Sequence, residues 1–158
     1  PKGADEIEFY LAANAGEDMK PLNKIASGGE LSRIILALKN VLARTGSVAT
    51  IIFDEVDNGI GGATAEIVGR KLKDVSANHQ VICITHLPQI ACYGEAHLYV
   101  SKKIAKGRTT TSVEKLDEEQ KVEEISRMLG GVDVTETTRK HAREMISGSK
   151  ISQSGKDQ

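Results

Sequence analysis

The sequence predicts an α/β fold, a parallel sheet with flanking helices, and three observations carry that prediction. Two short apolar runs, Ala49-Thr50-Ile51-Ile52-Phe53 and Gln80-Val81-Ile82-Cys83-Ile84, have the unbroken hydrophobic character of strands covered on both faces. Between them, Ala63 to about Val75 repeats apolar residues at helical spacing, with Ile67, Val68, Leu72 and Val75 on one face. Strand, helix, strand in that order implies a right-handed crossover and a parallel pair. At 158 residues the chain is one domain or a piece of one, long enough for a sizeable core.

Taken in order, Glu6 to Leu11 alternates partly and reads as a half-buried strand, with Asn14-Ala15-Gly16-Glu17-Asp18 as a turn after it. Ser27-Gly28-Gly29-Glu30 then opens a helix. Ser27 followed three residues later by Glu30 is a capping box, each side chain able to satisfy one orphan N–H. Leu31, Ile34, Ile35, Leu38, Val41 and Leu42 give this helix a buried face running to about Arg44, and Gly46 stops it. Asn58-Gly59-Ile60-Gly61-Gly62 is a loop, and Pro88 marks a turn after the second apolar strand. His97 to Ser101 and Thr109 to Leu116 read as strands joined around Gly107 in a hairpin. Val122, Ile125, Met128 and Leu129 form a helical face closed by Gly130-Gly131. Thr135 can cap a last helix carrying Ala142, Met145 and Ile146, and residues 148–158 have the composition of a disordered tail. The chain begins at Pro1 without an initiator Met, which processing or excision from something longer would each explain.

Composition narrows the classes of function. Lys and Arg total 21 against 22 for Asp and Glu, so no basic field advertises nucleic acid. Aromatic residues are 3% with no Trp, which argues against stacking platforms for single strands. No stretch resembles a signal peptide or a membrane span. Cys83 and Cys92 lack metal-ligand spacing and read as reduced cytosolic thiols. Lys102, Lys103, Lys106 and Arg108 make the hairpin basic, as solvated surface often is.

The chemistry gathers at the ends of the two apolar strands, where open parallel sheets bind ligands. Asp54 and Glu55 follow one strand, and His86 follows the other. An Asp at a strand tip suits Mg²⁺ held on phosphates. The Glu beside it suits polarising an attacking water, a task worth about 10²–10⁴-fold. Gly28 and Gly29 each cost the helix roughly 1 kcal/mol against Ala. Bare backbone N–H at the positive end of a helix suits a phosphate and would explain that cost. On those residues alone, an ordinary capped helix with a loose start explains the stretch equally well. A metal-dependent hydrolase site of Asp54, Glu55, His79 and His86 is a further reading, with poor geometry because His79 precedes its strand and His86 follows it.

Together these motifs resemble the C-terminal lobe of an ABC-type ATPase head. Ser27-Gly28-Gly29-Glu30 is similar to the signature loop, Ile51 to Glu55 to the Walker B strand, and His86 to the switch histidine. Val56 to Gly62 falls where the D-loop would be. More narrowly, Ala-Ser-Gly-Gly-Glu-Leu-Ser-Arg, Phe-Asp-Glu-Val-Asp-Asn-Gly-Ile-Gly-Gly and Ile-Thr-His-Leu-Pro-Gln-Ile-Ala resemble the SMC-like ATPases of bacterial double-strand-break repair. Glu123 to Gly131 and His141 to Met145 look like their C-terminal end, so the resemblance runs from about Ile7 to Ile146. Ala26 stands where many ABC proteins carry Leu, Glu30 where many carry Gln, and Gly61 where the D-loop has Asp. Each departure is what the narrower resemblance predicts, and Asp57 and Asn58 stand near enough to cover part of the missing Asp.

The resemblance implies a division into residues 1–147, the lobe, and 148–158, the tail. It implies ATP and Mg²⁺ as ligands. Asp54 would hold the metal, and Glu55 and His86 would be catalytic. Ser27, Gly28, Gly29, Glu30, Asp57, Asn58 and Gly59 would contact nucleotide. Implied partners are an N-terminal lobe of the same head, a second head in a homodimer sandwiching ATP, and DNA, with no membrane. The implied setting is the bacterial cytoplasm, at the nucleoid. Gly-x-x-x-x-Gly-Lys-[Ser/Thr], the phosphate-cradling Walker A loop, is nowhere in the sequence. The resemblance thus implies an ATPase whose activity this chain alone lacks. A non-catalytic dimerisation or scaffold lobe that keeps the motifs as structure is the alternative.

Overall fold

The computed structural model describes residues 3, 7–12, 16, 18–24, 27–42, 48–105, 108–131 and 133–151. The expected halt of the first long helix at Gly46, most of the turn at 14–18, the hairpin tip at Gly107 and residues 152–158 lie outside them. The first pairing is short: β1 (Tyr10–Leu11) runs antiparallel to β2 (Lys20–Pro21), so of the strand expected over 6–11 the described residues 7–9 are not paired as strand. A 3-10 turn, Leu22–Lys24, leads towards α1 (Gly28–Val41).

The strand-helix-strand unit is as the pattern predicts. β3 (Thr50–Phe53) and β4 (Gln80–Cys83) are parallel, Ile51 opposite Val81 and Phe53 opposite Cys83, with α2 (Gly62–Ser76) between them in the chain. Leu36 of α1 and Val68, Leu72 and Val75 of α2 pack with Phe53, Val56 and Ile90 into one core cluster. Three apolar expectations fail here. Among the described residues only one face of the sheet is packed, and Ile52, Ile82 and Ile84 are exposed. On α1, Leu31, Ile35, Leu38 and Val41 are exposed, and the helix buries Gly29 and Leu36 instead. Ile67 points away from the α2 core face, where Ala65 and Gly69 take the inward positions.

Pro88 starts a short helix, α3 (Pro88–Ala91), and does not simply turn the chain, because a proline at the first helical position lacks only an N–H that would be unpaired anyway. The hairpin is longer than expected, β5 (Leu98–Ala105) antiparallel to β6 (Arg108–Lys115). α4 (Glu118–Gly130) has a full capping box at Asp117 and Gln120 and ends at Gly131, whose φ of 70° permits the bond from its N–H to Arg127 O. Thr135 caps α5 (Glu136–Ile151), its Oγ1 accepting from the N–H of Thr138. Ile125, Ala142 and Ile146 form a second core with Cys92. Residues 148–151, expected as tail, are helical. Ser149 is buried and donates to Cys92 O, so α3 and α5 are tied at that point.

Candidate active site

The site begins where β3 ends. Phe53 is buried, Asp54 and Glu55 are exposed, and then Val56 and Asp57 turn inward at 0% and 4% exposure. Glu55 makes that reversal with φ of 58°, the left-handed region that costs a non-glycine residue about 1–3 kcal/mol. The turn is closed by Asn58 N–H to Glu55 O and Ile60 N–H to Asp57 O, with Gly59 exposed at its tip.

The start of α1 grips this turn. Ser32 Oγ donates to Asp54 O at 2.9 Å, and Arg33 Nη1 donates to Val56 O at 3.3 Å and Asn58 O at 2.8 Å. Gly28 and Gly29 are what let the two come so close. A Cβ at Gly28 would stand 2.6 Å from Glu55 Oε2; one at Gly29 would stand 2.8 Å from Asn58 Cβ and 2.9 Å from Glu55 O. The glycines therefore have a packing reason beyond exposing N–H groups. Of the capping box, the bond from Glu30 N–H to Ser27 Oγ is present at 3.2 Å. The Glu30 carboxylate is exposed and leaves the reciprocal bond unmade, which corrects the sequence expectation.

From β4, Thr85 and His86 meet the same turn. One oxygen of Asp57, Oδ2, accepts from Thr85 Oγ1 at 2.6 Å and from the His86 N–H at 2.9 Å, and lies 2.9 Å from His86 Nδ1. Thr85 Oγ1 in turn accepts from the Leu87 N–H at 3.1 Å. Burial pushes the Asp57 carboxyl upward, but the hydrogen bonds from Thr85 and His86 and the His86 charge outweigh it and hold the group below the ordinary aspartate value. The His86 ring itself is mostly in solvent, its side chain 74% exposed. At the end of β4, burial, helped by Asp57 and Asp54, pushes the Cys83 thiol up to about 12, which disfavours the reactive thiolate.

An open pocket of about 290 Å³ is lined by Asp54, Glu55, Asp57, Asn58, Thr85 and His86, with Ile84. The carboxylate pair and the histidine thus share one hollow, and Gly28 borders it through Glu55. Glu30 and Gly59 lie outside the lining and face solvent. His79 sits at the other end of β4, buried, with Nδ1 2.8 Å from Val48 O, so it cannot join a metal set with His86. Among the described residues no group of three or more His, Cys, Asp or Glu side chains could hold a metal by itself. The sequence reading missed Ser32 and Arg33. A polar pair one turn into an otherwise apolar helix was the signal for them.

Comparison with known proteins places this geometry. No family model matches the chain. DNA repair protein RecN of Halalkalibacterium halodurans is 51% identical over 144 residues, 91% of this chain and 26% of that protein. RecN of Bacillus subtilis is 48% identical over 145 residues, 92% of this chain and 25% of that protein. The chain is RecN-like. It spans about a quarter of the length of the curated relatives it matches. A solved structure from work on the structural biochemistry of ATP-driven dimerization and DNA-stimulated activation of SMC ATPases superposes with a TM-score of 0.53 at 22% identity, covering 82% of this chain and 77% of that one. That likeness shows that the RecN-like chain shares an α/β fold with the SMC ATPase structure. Among the described residues no helix is long and apolar enough to cross a membrane.

Proposed function

We propose that this chain is the C-terminal lobe of an ATP-hydrolysing head in a RecN-like protein of recombinational double-strand-break repair, working as a dimer on DNA in the bacterial cytoplasm at the nucleoid. The observation that supports it most is the shared pocket of Asp54, Glu55 and His86, set against the glycine-bearing start of α1. An N-terminal lobe carrying Walker A would supply the phosphate cradle, so the 158-residue chain by itself does not turn over ATP.

Phosphoryl transfer needs positioning and charge neutralisation more than covalent help. Asp54 offers exposed carboxylate oxygens at a strand tip whose main-chain carbonyl is already fixed by Ser32, a donor type that fits Mg²⁺. When bound, Mg²⁺ would neutralise charge on the phosphates. Glu55 accepts a proton from the attacking water, and His86 contacts the γ-phosphate. Ser27 is half-exposed and Gly28 exposed, so a nucleotide carried by a second head can reach them, with Glu30, Asn58 and Gly59 at the same edge. A nucleotide bound this way shifts the dimerisation equilibrium, and hydrolysis releases it.

The test is Glu55→Gln in the full-length protein. ATP binding should persist while turnover falls about 10²–10⁴-fold, and ATP-dependent dimers should accumulate in light scattering. Normal turnover without dimer accumulation would exclude Glu55 as the base, and a dimer that forms but never hydrolyses in the unmodified protein would favour the scaffold alternative.

A further inference from the structure

The geometry points to Asp57 as a positioning residue for His86, acting through the ring and not by touching nucleotide. The inference rests on the reading just given for His86, except that its structural arm stands alone. Asp57 is 4% exposed, and its Oδ2 takes Thr85 Oγ1, the His86 N–H and His86 Nδ1 together. Asp57 borders the pocket, but its Oδ2 is spent on Thr85 and His86. What it fixes instead is both ends of one residue, the main chain and the ring.

A carboxylate only accepts, so the imidazole nitrogen facing it must carry the proton. Nδ1–H against Asp57 leaves Nε2 as the unprotonated nitrogen of the neutral ring, and the ring orientation is set with it. Thr85 adds a second layer. Its hydroxyl donates to Asp57 and accepts from the Leu87 N–H, so the carboxylate is itself held by the chain that carries His86. The whole device spans the two strand ends, 57 from the turn after β3 and 85–87 from the segment after β4. Charged partners in a buried acceptor arrangement of this kind are also stronger than neutral ones.

Two measurements decide it. Long-range ¹H–¹⁵N correlation spectra of the 158-residue chain above neutral pH should show His86 as the Nδ1–H tautomer. Asp57→Ala should shift it towards the Nε2–H form that free histidine prefers, and Asp57→Asn serves as the shape-preserving variant, with the rest of the spectrum reporting the fold. An Nε2–H ring in the unmodified chain, or a tautomer indifferent to both changes in a folded protein, would overturn the inference. In the full-length ATPase, Asp57→Asn should lower kcat about 10- to 100-fold, as loss of an orienting partner does elsewhere, with KM for ATP held within about twofold if uniform binding is untouched. In a His86→Ala background the same change should cost nothing more. A raised KM with unchanged kcat, or an additive loss in the double variant, would mean that Asp57 acts on the nucleotide directly. Full activity of His86→Ala with the Nδ1–H tautomer intact would overturn the assignment of His86 to the γ-phosphate, and with it the effect on kcat.

Discussion

Gly28 and Gly29 show how one pair of residues can serve a helix, a turn and a ligand edge at once. Each was legible as glycine whose cost to the helix needed a reason. Only the fold supplied the steric one, because the Glu55–Asn58 turn lies far away in sequence. The two positions should respond differently. At Gly28 a methyl group meets the free end of the Glu55 side chain, which can swing aside, and the roughly 1 kcal/mol gained in helix propensity offsets the clash. At Gly29 it meets the Glu55 carbonyl and Asn58 Cβ, which cannot. Gly29→Ala should therefore destabilise the chain by about 1–3 kcal/mol in urea unfolding, and Gly28→Ala by distinctly less; equal effects would contradict this packing. Asp57 gives a pH prediction at the same scale. Its pKa is lowered by folding, so the stability it contributes is present above the unfolded value, 3.8, and is lost as pH falls through the folded one. Asp57→Asn should flatten that acid limb of the stability curve, and an unchanged limb would show the carboxylate to be uncoupled from folding.

At the scale of elements, the strands and helices whose period was set by their own core were readable: α2, α4, α5 and the β3–β4 pair all stand where their apolar spacing puts them. What was hidden was set by partners distant in sequence. Gly69, in the middle of α2, sits where a Cβ would fall 2.6 Å from Tyr93 Cδ2 and 2.9 Å from Gln89 O. It lets α2 meet α3 closely, and no local pattern announces that. Gly69→Ala adds helix propensity yet should lower stability by about 1–3 kcal/mol, since backbone and a ring must move; a stabilised variant would refute the close approach. The site divides the same way. Asp54, Glu55 and His86 were legible because strand tips collect chemistry, whereas the grip of Ser32 and Arg33 on the turn depends on where α1 lands. Arg33→Ala should loosen that turn, seen as faster amide exchange at Asn58 and Ile60.

For the whole molecule, the exposed face of the sheet and the exposed stripe of α1 are the informative failures of the apolar pattern. Ile52, Ile82 and Ile84 line up on one side because parallel strands in register present alternate residues together. Leu31, Ile35, Leu38 and Leu42 line up because they recur at helical spacing. Their apolar spacing led to the expectation of burial, which the structure does not bear out. Among the described residues Ile52, Ile82, Ile84, Leu31, Ile35 and Leu38 stay exposed. Ile52→Lys should reduce self-association and hydrophobic-dye binding of the isolated chain, and no change in either would argue against an open apolar face. The larger claim is that two heads each complete the other's site, one giving Glu55 and His86, the other the Ser27 loop. Mixing full-length Ser27→Arg with full-length Glu55→Gln tests it directly. Each variant alone should be nearly inactive; exchanged into mixed dimers they rebuild one intact site in every heterodimer, so ATP hydrolysis should recover to about a quarter of the unmodified rate, as expected when half of the symmetric dimers become mixed. Mixed dimers that form without any recovery would contradict the account.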